Sequence, residues 1–204
     1  MLIVGLTGSI GMGKSTIAAR FREHGIAVCD ADAAVHKLYE GAAVPAIEAA
    51  FPGTTEGGKV DRQRLASALM GSPAGFMRLE AIVHPMVLAA ERAFLHAEAA
   101  KGAALAVLEI PLLLETGGAA RVDVVVVASA PADKQRERVM QRFGMTAEKL
   151  AQVLARQMPD AEKRARADFV VDTGGTFAET EAQVDTIVES LKGREGTAFV
   201  TAWA

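Results

Sequence analysis

The sequence contains few cysteines and few aromatic residues: one of its 204 residues is a cysteine, and aromatic side chains occupy 5% of positions. The single cysteine, Cys29, excludes an internal disulfide framework and is typical of a reducing compartment. No apolar run approaches the roughly 18 residues that a membrane-spanning helix needs, so we expect no membrane partner. The first apolar residues have no basic segment before them and no cleavage site after them. We therefore expect no signal peptide and a cytoplasmic location.

The chain also lacks an excess of basic residues. It has 22 lysine and arginine residues against 25 aspartate and glutamate residues, a formal net charge of −3. Proteins that bind duplex nucleic acid through many phosphates usually carry a basic excess, so we expect no nucleic-acid partner. Half of the residues are hydrophobic and 23% are charged, as in a soluble globular protein. The length predicts one domain and leaves the oligomeric state open.

Short apolar runs predict the strands of a parallel sheet. They lie at 2–7, 26–29, 104–110, 122–128 and 169–171. A glycine-rich loop and a predicted helix over 14–23 join the first two runs, and this strand–helix–strand order forms a βαβ unit. The sequence therefore predicts an α/β fold with a parallel sheet. A last amphipathic helix is predicted over 177–191, and the tail 193–204 carries no pattern.

Two polar, helix-prone stretches interrupt the predicted sheet. Residues 31–103 contain no convincing strand and predict a helical insertion. Within it, Asp61 suits the cap of a helix over 62–70, and we expect a further long helix to begin at Pro85. The second stretch covers 131–166. The rest of the predicted single domain is a core of residues 1–30, 104–130 and 167–192.

Residues 8–15 read GSIGMGKS and fit the phosphate-loop pattern G-x-x-x-x-G-K-[ST]. Glycines allow successive backbone N–H groups to point at phosphate oxygens, and the start of the next helix adds partial positive charge. Here the pattern follows a predicted strand and precedes a predicted helix, which is the context it requires. The expected nucleotide-binding residues are Gly11, Met12 and Gly13 through the backbone, Lys14 on the β- and γ-phosphates, Ser15 on Mg²⁺, and Thr16 on the α-phosphate.

Two carboxylates, Asp30 and Asp32, follow the second predicted strand. Ligands of open α/β sheets bind at the carboxyl ends of the strands. Carboxylates at this edge can orient an acceptor hydroxyl or hold Mg²⁺, directly or through water. The alternative is a helix cap or a turn, where aspartate is common.

Residues 134–166 contain nine basic and four acidic side chains. Arg138 and Arg142 are four residues apart and would share one face of a helix. One interpretation is a mobile lid whose arginines close over a triphosphate and exclude water. The other is a solvated helix surface.

Taken together, these motifs resemble the dephospho-CoA kinase family over nearly the whole chain. The phosphate loop alone is common to many kinases, whereas the combination in this order is specific. The segments that carry the resemblance are LTGSIGMGKST at 6–16, CDAD at 29–32, DRQRL at 61–65, LEAIVHP at 79–85, IPLLLE at 110–115, QRERVMQR at 135–142 and ADFVVDTGG at 167–175.

The resemblance implies that ATP, with Mg²⁺, phosphorylates the ribose 3′-hydroxyl of dephospho-CoA to give CoA and ADP, the last step of coenzyme A synthesis. It implies a three-layer P-loop NTPase fold with a parallel sheet, a helical substrate-binding insertion and a helical lid. The roles it implies are Asp32 as general base, Lys14, Arg138 and Arg142 as further catalytic residues, Asp32 and His84 in acceptor binding, and Asp30 or Glu109 as a carboxylate near Ser15 that holds the metal through water.

The sequence departs from the family pattern at a few positions. Glu109 stands where aspartate is common, Phe143 where aspartate is usual, and Thr173 where asparagine is common, so we assign Thr173 no contact with adenine. Three other functions are less consistent with the sequence. Another small kinase, acting on a nucleoside monophosphate or shikimate, would lack this combination of motifs. A GTP-binding switch needs an N-K-x-D motif, which is absent, and a nucleotide sensor would lack Lys14 or Asp32.

Overall fold

The computed structural model describes all residues from 1 to 204 as a mixed α/β protein. The elements are β1 (Leu2–Thr7), α1 (Lys14–Glu23), β2 (Ala27–Asp30), α2 (Ala31–Tyr39), α3 (Val44–Ala50), β3 (Thr55–Glu56), β4 (Lys59–Val60), α4 (Arg62–Leu69), α5 (Pro73–Ala100), β5 (Leu105–Glu109), β6 (Val124–Ser129), α6 (Ala132–Met140), α7 (Ala147–Leu154), α8 (Asp160–Ala165), β7 (Phe169–Asp172) and α9 (Phe177–Leu191).

The main sheet has five strands in the order β2-β5-β1-β6-β7. Strand β1 pairs in parallel with both β5 and β6, and β6 pairs in parallel with β7. All six residues of β1 and all six of β6 are buried, as expected of strands covered on both faces. The predicted α/β class and parallel sheet are confirmed. All five predicted strands are present, and their ends agree with the prediction to within two residues.

Residue contacts divide the chain into two compact units, Met1–Cys29 with Leu95–Ala204, and Asp30–Phe94. The first unit contains β1 and β5–β7. In it, apolar side chains of α1 and α9, among them Phe21 and Ile187, pack against the central strands. No helix of the chain is both long enough and apolar enough to cross a membrane.

The second unit is mainly helical and has its own apolar cluster, which includes Ile47, Leu65 and Val83. It also contains a two-stranded antiparallel hairpin, β3 and β4. The expectation that 31–103 holds no strand is therefore wrong. The turn is Gly57-Gly58, and both residues have positive φ, as a two-residue hairpin turn requires. This glycine pair was the available signal, but each flanking strand is only two residues long and gives no alternation.

Helix α5 starts at Pro73 and continues through Pro85, so the prediction that a helix begins at Pro85 is wrong. Proline has no N–H to donate to the carbonyl four residues earlier, and in a helix interior it usually costs about 3 kcal/mol. Here the carbonyl concerned belongs to Ala81, which is exposed and can be hydrated. An apolar stripe runs past the proline at helical spacing and packs on the cluster of the second unit, which stabilises the continuous helix. The stripe comprises Leu79, Ile82, Val83, Met86 and Val87.

The C-terminal tail, which carries no sequence pattern, is held by long-range hydrogen bonds. The side chain of Asp123 accepts from the backbone N–H groups of Thr197 and Ala198 at 2.7 and 2.8 Å. Trp203 is buried, and its indole N–H donates to the Arg121 carbonyl at 2.7 Å. Contacts this distant in sequence leave no local periodicity, so no sequence pattern predicts them.

Candidate active site

The loop between β1 and α1 has the conformation of a phosphate-binding loop. Gly11 and Gly13 have φ of 76° and 80°, in the left-handed region that favours glycine. A Cβ on Gly13 would lie 2.9 Å from Thr173 Oγ1, and one on Gly11 would lie 2.5 Å from Val139 Cγ2. The glycines are therefore needed for the backbone conformation and for the close approach of neighbouring segments.

Three predicted phosphate-binding side chains lie at the start of α1. Lys14 Nζ donates to the carbonyls of Gly8 at 2.8 Å and Ser9 at 3.4 Å, which holds its charge over the loop. Ser15 is exposed, and Thr16 is half-buried in the first turn of α1. This arrangement places one ammonium group and two hydroxyl groups beside the backbone N–H groups of a helix N-terminus, a suitable site for an anion.

Two glutamine side chains hold the peptide of Ile10, in the middle of the loop. Gln135 of α6 donates through Nε2 to the Ile10 carbonyl at 2.8 Å, and Gln157 accepts from the Ile10 N–H at 3.0 Å. Neither glutamine was predicted from the sequence as part of the site. Gln135 is buried and lies four residues before the buried Val139, so a polar residue on the apolar face of α6 was the available signal. For Gln157 no local signal exists.

Arg138 and Arg142, predicted together as lid residues, have different surroundings. Arg138 donates through Nη2 to the Thr173 carbonyl at 2.6 Å and through Nη1 to Thr173 Oγ1 at 3.1 Å and the Gly11 carbonyl at 3.5 Å. Thr173 Oγ1 in turn donates to the Met12 carbonyl at 2.9 Å. Arg138 therefore braces the loop, whereas Arg142, just beyond α6, is exposed and its guanidinium has no hydrogen-bonding partner.

A buried ion pair anchors the segment that carries Gln157. Lys163 of α8 is fully buried, and its Nζ lies 2.8 Å from Glu115 Oε1 and donates to the Pro111 carbonyl at 3.2 Å. Glu115 Oε1 also accepts from the Met158 N–H at 2.8 Å. Burial acts to raise the pKa of Glu115, but the hydrogen bonds from Lys163 and Met158 outweigh it, and the pKa lies below its usual value. The carboxylate is therefore ionised at neutral pH.

The predicted acceptor residues belong to the unit Asp30–Phe94. Asp30 is the N-cap of α2, and its Oδ1 accepts from the Ala33 N–H at 3.0 Å, which is the alternative that the sequence left open. Asp32, in the first turn of α2, is exposed, and its carboxylate has no hydrogen-bonding partner. His84 is exposed on α5. The structure thus distinguishes a capping carboxylate, Asp30, from an accessible one, Asp32.

Oxygen ligands suited to Mg²⁺ are present, although no group of three or more potential metal-binding side chains forms a cluster. The hydroxyl of Ser15 is exposed at the end of the phosphate loop. Glu109 is the last residue of β5 and is paired in register with Leu6, one residue before the end of β1. A hydroxyl and a carboxylate at the same sheet edge fit a metal that retains several waters and is held largely by nucleotide phosphates.

Comparison with known proteins gives consistent matches over most of the chain. A sequence model of the dephospho-CoA kinase family matches residues 2–179. A dephospho-CoA kinase of Mesorhizobium japonicum is 54% identical over 197 residues, which is 97% of this chain and 100% of the relative. One from Rhodopseudomonas palustris is 58% identical over 190 residues, covering 93% of this chain and 96% of the relative.

Solved structures agree with the fold. A crystal structure of a Thermus thermophilus protein matches with a TM-score of 0.80 and 36% identity, covering 94% of this chain and 98% of the other. The dephospho-CoA kinase of Campylobacter jejuni matches with a TM-score of 0.65, covering 93% and 96%; at 22% identity this likeness shows the fold alone. The predicted P-loop kinase fold is confirmed.

Proposed function

The chain belongs to the dephospho-CoA kinase family, and from this premise we propose that it transfers the γ-phosphoryl group of ATP to the ribose 3′-hydroxyl of dephospho-CoA. The products are CoA and ADP, and the reaction is the final step of coenzyme A biosynthesis. The observation that carries this proposal is the 54–58% identity to named relatives over nearly their whole length. The phosphate loop and the accessible carboxylate of Asp32 support it.

The phosphate loop binds the triphosphate of ATP through backbone N–H groups of residues 11–16. Lys14, held over the loop by the Gly8 carbonyl, moves its ammonium group onto the β- and γ-phosphates. Ser15 would supply a hydroxyl ligand to Mg²⁺, and Glu109 or Asp30 would be the carboxylate that acts on the metal through water. When bound, the metal neutralises charge on the phosphate oxygens during transfer.

Asp32 orients the 3′-hydroxyl and accepts its proton as the bond to phosphorus forms. Phosphoryl transfer passes through a loose transition state, so positioning contributes more than early proton removal. Asp32 is suited to both tasks because its carboxylate is exposed and is not engaged by the protein. We propose His84 as a second residue that contacts the acceptor, through its exposed imidazole on α5.

Arg138 and Arg142, the two arginines of the proposed lid, have different roles in this mechanism. Arg142 is exposed and has no partner, so it is available to close on the transferring phosphoryl group and stabilise its charge. Arg138 is bound to Thr173 and Gly11, and these contacts favour a role in fixing the loop around the nucleotide. Direct contact of Arg138 with ATP stays a prediction.

The reaction is tested by measuring ADP release with ATP, Mg²⁺ and one acceptor at a time. The acceptors are dephospho-CoA, AMP, CMP, dTMP and shikimate. We expect turnover only with dephospho-CoA. Turnover with shikimate or a nucleoside monophosphate instead would retain the phosphate-loop mechanism but contradict the proposed acceptor. ATP binding without turnover of any acceptor would favour a nucleotide sensor.

A further inference from the structure

Arg62, the first residue of α4, is held in place by an aromatic ring and not by an acid. Its guanidinium carbon lies 5.8 Å from the centroid of the Tyr39 ring, within the range of a cation–π contact. The Arg62 side chain is exposed and forms no hydrogen bond or ion pair. Arg64 on the same helix differs, because it forms ion pairs with Glu56 at 3.0 Å and Asp61 at 3.2 Å. Arg62 therefore retains its capacity to bind an anion.

One acid close enough to attract Arg62, Glu40, is already engaged. Its carboxylate accepts from Lys59 Nζ at 2.9 Å, and this hydrogen bond is the main reason that its pKa lies below the usual value. Arg62 contributes only a weaker, longer-range attraction to the same carboxylate. The ring of Tyr39 restricts the guanidinium and so reduces the conformational entropy that binding would cost.

Helix α2 links this arginine to the proposed acceptor site. Asp32 and Tyr39 are seven residues apart on α2, which is nearly two full turns, so both lie on one face and about 10 Å apart along the axis. His36, also exposed, lies between them on this face. This side of α2 thus carries the carboxylate of Asp32 near one end, and Arg62 of α4 lies beside Tyr39 near the other end. All three residues belong to the unit Asp30–Phe94.

We propose that Arg62, positioned by Tyr39, binds the 5′-diphosphate of the acceptor whose 3′-hydroxyl lies at Asp32. This inference rests on the proposed function. The diphosphate is attached to the same ribose a few covalent bonds from the 3′-oxygen, which suits the spacing of the two residues. It is also the only charged group of dephospho-CoA at neutral pH. A guanidinium can bind phosphate oxygens with two parallel hydrogen bonds, which selects a phosphate ester over neutral nucleosides.

The test compares Arg62→Met, Arg62→Lys and the control Arg64→Met in the full-length enzyme. Methionine keeps an apolar stem on Tyr39 and removes the charge, and lysine restores the charge without the planar fork. For Arg62→Met we expect the KM for dephospho-CoA to rise about 10- to 100-fold, because the variant loses one or more charge-assisted hydrogen bonds to the diphosphate. We expect kcat and the KM for ATP to change less than about threefold, because Arg62 acts on acceptor binding and not on the chemical step. Arg62→Lys should recover part of the affinity, and Arg64→Met should resemble the unmodified enzyme.

Three results separate the inference from its alternatives. An unchanged KM for dephospho-CoA in Arg62→Met overturns the inference and leaves the proposed function standing. Equal losses in Arg62→Met and Arg62→Lys, with a lowered thermal midpoint in both, indicate a structural role and also overturn it. If the unmodified enzyme does not phosphorylate dephospho-CoA at all, the proposed function itself fails.

Discussion

Replacing Lys163 by methionine removes one partner of the buried ion pair with Glu115 and should destabilise the first unit. The lysine is fully buried. The substitution removes both its 2.8 Å contact to Glu115 and its hydrogen bond to the Pro111 carbonyl. Breaking a buried pair costs about 3–5 kcal/mol because the remaining charge is uncompensated. The Glu115 side chain is 15% exposed and regains some hydration, so we expect the lower end of that range, about 3 kcal/mol. For a protein of this length the loss corresponds to about 6–12 °C in Tm.

Trp203 provides the assay for this prediction. It is the only tryptophan, it is buried, and it belongs to the same unit as Lys163. Its fluorescence during urea unfolding therefore reports on that unit. The matched control is Lys192→Met, which breaks the exposed Lys192–Glu189 pair and should cost less than about 1 kcal/mol. If Lys163→Met and the control unfold at the same urea concentration, the ion pair does not anchor this segment.

Four further predictions concern the reaction and its pH dependence. Lys14→Ala should lower kcat/KM by at least about 100-fold, since it removes a cation from the γ-phosphate, and near-normal turnover would contradict the loop assignment. Asp32→Asn should lower kcat by about 100-fold or more and leave ATP affinity, measured by calorimetry, within about twofold; an equal loss of ATP affinity would indicate a nucleotide or metal role. Arg142→Ala should slow single-turnover phosphoryl transfer by on the order of 1,000-fold, and an unchanged rate would make it a surface residue. Because the pKa of Glu115 lies below its usual value of 4.5, its stabilising effect is complete above that pH and is lost as the pH falls through the lowered pKa. The stability difference between the unmodified protein and Lys163→Met should therefore narrow in acid, as followed by Trp203 fluorescence, and a constant difference would contradict this assignment.

The elements that the sequence predicts well are those with strong local signals. The helices Lys14–Glu23 and Phe177–Leu191 have the predicted ends. The second begins with a capping box formed by Thr176 and Glu179, and the first follows a glycine loop. Asp61 caps α4 as expected, through hydrogen bonds from the Gln63 and Arg64 N–H groups. Caps, glycine loops and buried β-branched strands act over a few residues, so the sequence contains the information directly.

The features that the sequence did not reveal depend on distant contacts. Gln157 is 147 positions from the Ile10 N–H that it binds, and the Lys163–Glu115 pair joins two segments far apart in the chain. Neither leaves a periodic pattern. The continuous helix through Pro85 has a similar cause, since packing of its apolar stripe outweighs the local preference of proline. In the candidate site, the phosphate loop was therefore predictable, whereas the side chains that brace it were not.

The position of the transferred phosphate distinguishes phosphorylation of the ribose 3′-hydroxyl from every other phosphoryl transfer. The protein is incubated with ATP, Mg²⁺ and either dephospho-CoA or its 3′-deoxy analogue, and the products are examined by ³¹P NMR and mass spectrometry. We expect a new phosphomonoester on the 3′-oxygen of dephospho-CoA and no phosphorylation of the 3′-deoxy analogue. A phosphate on another oxygen, or turnover of the 3′-deoxy analogue, would contradict the proposed function.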